Sequence, residues 1–419
     1  MKMNYEWNNA YQYIMKIKQD YVNQFGKVDT YSIDDMCQKL NTKEYNNFLD
    51  CVNITVYGTL NLFKYSLVKG GDIDLYSNVN SIYREMRSLV IDMKTDEIVL
   101  CPFHKFFNVN EIEETNVDIV LDKIAHAKCV EIANKLDGSM QSASYYNGKI
   151  VMSGSQSLNP AMSFRLEEGY LFLTDNHKTM IMENVGKTFI FEYISLKDKH
   201  VVEYTKEQQG LYLIGIRDNN TGKQFSYNEV KQVADKYHVS MTEIETRTFD
   251  QIEKAVDDYK STEKEGWVLF IDGYMYKMKC TDYVDIHKML NFYSSANVII
   301  RAIADEYYDD LISKVPTAYK DRINAIANVV YDYIKKENDS INSYWESVPK
   351  NVGRKEQALF IRKSIPKQYQ SYMFSKMNNY EYNVIKFKLQ SSTPQYIKMS
   401  EICGKDYRIT DLMNTSEDD

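Results

Sequence analysis

The feature that most constrains the fold is a change of hydrophobic period close to residue 290. From about 86 to 290 the chain reads as short apolar runs broken by turn dipeptides. Gln141–Tyr145 and Lys149–Ser153 flank Asn147-Gly148, while Trp267–Ile271 and Tyr274–Cys280 flank Asp272-Gly273. Asn-Gly and Asp-Gly accept the positive φ angles of two-residue turns, so both pairs predict β-hairpins. Thr188–Ile194 and Leu211–Ile216 predict further strands. After about 291 the spacing turns helical. Ala296, Ile299, Ile300, Ile303, Tyr307 and Leu311 form one stripe, and Tyr319, Ile323, Ile326, Val330 and Tyr333 another, with Pro316 between them. The expected fold class is α+β over 1–290, followed by an all-helical domain over 291–419. Residues 1–80 are polar and Tyr-rich, with helical spacing at Tyr11, Ile14, Met15 and Ile17, and predict an N-terminal extension without nameable chemistry. Asn414–Asp419 predict an acidic frayed tail.

Composition removes several classes. A length of 419 residues allows two or three domains, and 44% hydrophobic with 26% charged residues is a globular composition. No run approaches 18 apolar residues, so no transmembrane helix is expected. The start, Met1-Lys2-Met3-Asn4-Tyr5-Glu6-Trp7-Asn8, lacks a signal-peptide core. The six cysteines carry no CxxC pair and predict reduced thiols in a cytoplasmic protein without structural zinc. The net charge of −8 argues at first sight against a nucleic-acid partner.

Three local patterns carry chemistry. Lys135-Leu136-Asp137-Gly138-Ser139 follows a predicted strand (Cys129–Ala133); its Gly suits a sharp turn, and its Lys is either a nucleophile or an exposed turn residue. In Tyr276-Lys277-Met278-Lys279 the strand period puts both lysines on one face, aimed at an anion or guarding an exposed edge. In Phe189-Ile190-Phe191-Glu192-Tyr193-Ile194 the acid sits on a strand apolar on both faces, so it needs a ligand or a structural partner. Glu265-Gly266 adds an acid beside the paired lysines. Together these residues suit nucleotidyl transfer through a lysyl intermediate. A nucleophilic Lys must be neutral, yet at an ordinary pKa near 10.4 only about one in 2,500 is neutral at pH 7. Neighbouring cations lower that pKa and also neutralise a triphosphate.

The ordered set Lys135-x-Asp137-Gly138, Phe191-Glu192, Glu265-Gly266 and Lys277-x-Lys279 resembles motifs I, III, IV and V of the covalent nucleotidyltransferases: DNA ligases, RNA ligases and mRNA capping enzymes. Met86–Asp92, Pro102–Asn108 and Lys279–His287 are similar to segments of the T-even phage RNA ligase 1 family. The resemblance implies a nucleotidyltransferase domain with ATP-grasp-like antiparallel sheets and an ATP-dependent RNA ligase using Mg2+ or Mn2+. It further implies a monomer that joins 5′-phosphate to 3′-hydroxyl ends, in the host cytoplasm if phage-encoded. Lys135 would be the nucleophile. Glu192 would contact the nucleoside ribose, Glu265 the metal and nucleotide, and Lys277 and Lys279 the α-phosphate. Arg87 and Lys105 would serve the ATP phosphates and the ligation steps; Asp137 and Gly138 would complete the nucleotide site. Tyr283 would be the aromatic after motif V, or equally a core residue. One departure stands out: the family carries a basic residue in a Lys-Gly-Ser-like run after the first hairpin, whereas Ser153-Gly154-Ser155-Gln156-Ser157 has none.

For the helical domain the resemblance implies recognition of broken tRNA. Residues 350–388 hold nine Lys and Arg, Arg362, Lys363 and Lys367 among them, against two Glu, a net +7. Tyr369, Tyr372, Phe374, Tyr380 and Tyr382 are interleaved, either to stack on unpaired bases or as helix-core aromatics. A DNA ligase or capping enzyme should continue into a strand-rich OB domain, which the helical period after 291 disfavours. A silent RNA-binding or sensing protein on the same fold is the other alternative, disfavoured by the intact lysine and glutamate set.

Overall fold

The computed structural model describes residues 5–66, 78–198, 200–293, 296–313, 315 and 317–391. Pro316, Cys403 and the tail Asn414–Asp419 lie outside the described residues, as do the side chains of Ala296 and Tyr319. The chain divides into two units, Met1–Asp285 and one that begins at Ile286.

The first unit opens with α1 (Asn9–Phe25), α2 (Ile33–Leu40) and α3 (Lys43–Cys51), whose N-caps Asn8, Ser32 and Thr42 each accept a backbone N–H. Tyr11, Ile14 and Ile17 are buried on one face of α1, as their spacing predicts. That face packs with Phe48, Phe63, Leu89 and Ile91 against a four-stranded antiparallel sheet. Its strands run in chain order: β1 (Val52–Tyr57), β2 (Leu60–Tyr65), β3 (Arg87–Asp92) and β4 (Glu97–Leu100). Sheet structure therefore begins at residue 52, within the segment expected to be an extension. All six residues of β2 are buried, Asn61 and Lys64 included, so no apolar–polar alternation marks it. Asn61 is tolerated there because it accepts from Ile33 N and donates to the Tyr31 carbonyl.

Two further four-stranded sheets carry the chemistry-bearing segments. One comprises β5 (Phe107–Asn108), β6 (Val130–Lys135), β11 (Gly266–Ile271) and β12 (Tyr274–Lys279), in the order β5-β12-β11-β6. The other comprises β7 (Ser139–Tyr146), β8 (Lys149–Ser153), β9 (Lys187–Ile194) and β10 (Gly210–Asp218), in the order β10-β9-β7-β8. Both predicted hairpins form, with positive φ at Asn147 and Gly148 and at Asp272 and Gly273. Helices 164–172, 175–183 and 227–237 cover the β7–β10 sheet through Leu166, Met180, Ile181 and Val230.

The second unit is helical throughout its described residues, with helices 296–304, 308–313, 317–347, 354–364, 367–377 and 384–391. Ile299, Ile300, Ile303 and Leu311 are buried as predicted, but Tyr307 is exposed and Tyr308 takes its place. Glu306 adopts a left-handed backbone between two helices, which resets the helical phase by about one position. Ile323, Ile326 and Val330 form the buried stripe of the 31-residue helix. Among the described residues no helix is long and apolar enough to cross a membrane. The α+β class with antiparallel sheets and a helical C-terminal region stands.

Candidate active site

Strand register builds the centre of the site. Gly266 pairs with Lys135 on one side and with Lys279 on the other. Two lysines thus flank the residue that follows Glu265, and its carboxylate lies between their ammonium groups. Lys135 Nζ is 2.7 Å from Glu265 Oε2, and Lys279 Nζ is 3.1 Å from Oε1. The Glu265 side chain is 1% exposed, so these charges meet where water screens them little. Gly266 holds φ at +149°, and a Cβ there would collide with the Met278 carbonyl oxygen; only Gly allows the strand to run this close. Lys277 shares a face with Lys279 on β12 and lies 5.2 Å from the Phe106 ring centre.

Directly after Lys135 the chain turns from one sheet into the other. Asp137 is buried, and its Oδ2 accepts from the backbone N–H of Val201 and Val202 at 2.9 and 2.8 Å. Its Oδ1 accepts from the Tyr283 hydroxyl at 2.8 Å, and its own N–H donates to Tyr204. Desolvation, with Glu265 nearby, raises the Asp137 pKa above the usual carboxylate range; His200, with Nδ1 at 3.6 Å, works against that rise. Gly138 donates its N–H to Glu192 Oε1 at 2.9 Å, and any Cβ on it would strike the Tyr193 carbonyl. Burial pushes the Glu192 carboxyl up to about 7, against the pull of Lys135.

Four of these neighbours are absent from the sequence reading. Burial opposes a charge on His200, but a hydrogen bond to Asp198, with Asp137 close by, raises it to about 9. Asp198 also accepts from Ser139 Oγ at 2.6 Å and pairs with Arg165 at 2.8 Å, which together with His200 hold its carboxyl well below the ordinary range despite burial. Tyr204 completes the group, its hydroxyl pKa raised by burial. The available signal was modest: Asp198-Lys199-His200 lies just beyond the end of the strand that bears Glu192, and Ser139 adjoins Gly138.

The upstream cations gather round aromatic rings. Arg87 lies over Phe106 at 5.2 Å, the ring that also faces Lys277. Lys105 lies over Tyr65 at 5.1 Å and Phe107 at 5.4 Å. The segments bearing them are tied to β10 by Arg217, which is buried, pairs twice with Glu85 at 2.7 and 2.9 Å and donates to the Pro102 carbonyl. The structure therefore joins Lys135, Glu265 and Lys279 directly, and Asp137, Gly138, Glu192 and Tyr283 around them. Arg87, Lys105 and Lys277 form an adjoining group. Tyr283 is both core and site, buried yet bonded to Asp137.

Arg362, Lys363 and Lys367 belong to the second unit and are exposed on helix 354–364 and at the start of helix 367–377. The aromatic residues beside them divide. Tyr369 and Tyr372 are core residues, packed on Tyr344 and on Phe387 and Tyr382, while Tyr380 is 70% exposed.

Comparison with known proteins adds a family match over part of the chain. A curated relative from Thermovibrio ammonificans, named "Putative RNA ligase", is 29% identical over 188 residues. The match spans 43% of this chain and 46% of that protein, less than half its length. Among solved structures, an archaeal ATP-dependent RNA ligase is similar at 12% identity and a TM-score of 0.43, covering 81% of this chain and 96% of that one. A mutant RNA ligase of Naegleria gruberi with ATP and Mn is similar at 17% identity and a TM-score of 0.34, covering 44% and 57%. Residues 85–283, which hold every lysine and carboxylate of the site described above, match the family model described as RNA ligase.

Proposed function

We propose that this protein is an ATP-dependent RNA ligase that joins a 5′-phosphate to a 3′-hydroxyl through a lysyl-AMP intermediate. The observation that carries the reading is the ladder register that sets Lys135 and Lys279 on either side of Gly266, with Glu265 between them. The family match over the same residues supports it.

In the first step the neutral Lys135 amine attacks the α-phosphorus of ATP. A P–N bond forms, the P–O bond to the β-phosphate breaks with its electron pair leaving on pyrophosphate, and the attacking nitrogen gives up a proton to solvent. Lys277 and Lys279 oppose a positive charge on Lys135 and answer the charge developing on the α-phosphate. Glu192 receives the ribose hydroxyls, held in place by the Gly138 N–H. An oxygen of the RNA 5′-phosphate then takes AMP from Lys135, which recovers a proton as its P–N bond breaks. Finally the 3′-hydroxyl attacks that 5′-phosphorus, loses its proton and expels AMP. Each step is phosphoryl transfer, in which positioning and charge neutralisation do most of the catalysis.

Glu265, a hard oxygen donor, would be the side chain to hold a Mg2+ or Mn2+ arriving with the nucleotide. Among the described residues no group of three His, Cys, Asp or Glu side chains is placed to hold a metal. When bound, it would neutralise the leaving pyrophosphate. The helical region from about 291 is assigned to the RNA, a broken tRNA being the substrate that the resemblance favours.

The test is incubation with ATP labelled at the α-phosphate and a divalent ion. The wild type should form an alkali-stable, acid-labile protein–AMP adduct, Lys135→Met should form none, and 5′-phosphorylated single-stranded RNA should circularise. Absence of an adduct in the wild type would exclude the enzyme reading. Sealing of nicked DNA alone would exclude the RNA assignment.

A further inference from the structure

The loop after the first hairpin, which lacks the family's basic residue, is met by a lysine from another sheet. Lys64, on the fully buried strand β2, is 6% exposed, and its Nζ donates to Ser155 Oγ at 2.8 Å. The loop is fixed against the first sheet at two more points. Ser88 Oγ donates to the Ser155 carbonyl at 2.7 Å, and Thr55 donates to the Gln156 carbonyl at 2.9 Å. Ser88 is held in a left-handed backbone, φ +68°, a costly conformation for Ser that this contact helps to maintain.

Lys64 also belongs to the group of cations beside the pocket. Its register partner across β2 and β3 is Arg87, at a bulge in the ladder. Its ammonium lies 5.0 Å from the centre of the Tyr65 ring, the ring that also carries Lys105. Arg87 in turn shares Phe106 with Lys277, two residues before Lys279. A continuous line of cations thus runs from the α-phosphate lysines to the Ser155 loop. Burying a lysine costs its hydration, which favours keeping one only where its charge has a task.

We infer that Lys64, reaching across from β2, supplies at Ser155 the cation that the run after the hairpin lacks, and that Lys64 and Ser155 together receive the terminal phosphates of ATP. The inference rests on the adenylylation reading above. Lys64 then acts in the one step that uses a triphosphate, by holding the pyrophosphate that leaves. It has no such task once AMP is already on the RNA.

Three variants test this: Lys64→Met, Lys64→Gln and the double variant Lys64→Met/Ser155→Lys. Lysine adenylylation by ATP and joining of chemically pre-adenylylated RNA are measured separately on each. Lys64→Gln keeps a hydrogen-bonding end beside Ser155 and removes only the charge, so it separates anchoring of the loop from phosphate binding, even if Lys64→Met folds poorly. Adenylylation by Lys64→Gln should fall by about tenfold to a hundredfold, with a raised KM for ATP, and by at least about tenfold more than joining of pre-adenylylated RNA falls. The double variant should recover most of the loss. Wild-type rates in Lys64→Gln, equal losses in both reactions, or no recovery with lysine at 155 would each overturn the inference. A wild type that forms no adduct would instead sink the underlying reading, so the two failures are distinguishable.

Discussion

The pocket of residues 85–283 and the basic helices of the second unit use positive charge in opposite ways. In the pocket each lysine is aimed: Lys135 and Lys279 meet the two oxygens of one buried carboxylate, and Lys277, Arg87 and Lys105 lie over rings. On helices 354–364 and 367–377 the charges are exposed and act through their number. The first arrangement fixes individual atoms against one another; the second raises a local potential that salt screens. Under the proposed function, reaction geometry belongs to one and polyanion affinity to the other, so substitutions in the two regions should differ in kind as well as in size.

After loss of the Lys135 nucleophile itself, the largest effect should come from Glu265. Glu265→Gln keeps the shape but removes the charge that answers both lysines, and adenylylation should fall by about 10²–10³. A loss below about fivefold, measured with α-labelled ATP, would break the contrast from the pocket side. Next comes the triple variant Arg362→Ala, Lys363→Ala, Lys367→Ala. Joining should weaken by about tenfold at physiological salt, and the dependence of log affinity on log salt should flatten by roughly 2, while lysine adenylylation holds. Equal loss of both activities would mean that the helices support folding of the whole chain.

The smallest effect is thermodynamic. Glu192 titrates near 7 in the fold, above its unfolded range, so the folded state keeps a proton that the unfolded state gives up. The stability this adds is complete below about pH 4.3 and is lost as pH rises through about 7. His200, raised to about 9, adds stability that is complete below about pH 6.5 and disappears through about pH 9. The ligand-free protein should therefore lose Tm steadily from pH 5 to pH 9. Glu192→Gln should raise Tm at pH 8 by roughly 3 °C or more and have little effect at pH 5. An unchanged or lower Tm at pH 8 would place the carboxyl in a less buried setting.

Much of this was legible in the chain because the signals were local. The turns at Asn147-Gly148 and Asp272-Gly273 register their own hairpins, and the change of period near 290 separates the sheets from the helices. What stayed hidden depends on burial across the fold. β2 lacks alternation because both of its faces are covered, and that concealed Lys64 along with the first hairpin of the first sheet. His200, Asp198 and Arg165 have unremarkable neighbours in sequence and gain meaning only where β7 and β9 meet. Tyr369 and Tyr372 illustrate the converse, since aromatic residues among lysines read alike whether they face bases or the helix core.

The ladder joining β6, β11 and β12 has a consequence for how such a site tolerates change in length. Lys135 and Lys279 are matched through hydrogen-bonded rungs to one residue, Gly266, and the two-residue turn Asp272-Gly273 sets the count on the β12 side. Inserting or deleting a single residue in that turn would slide β12 by one rung and send Lys277 and Lys279 to the opposite face of the sheet. That turn, at the far end of the hairpin from Gly266, therefore works as a gauge for the site, and the spacing from Glu265 to Lys279 should tolerate substitution far better than any change in its number of residues.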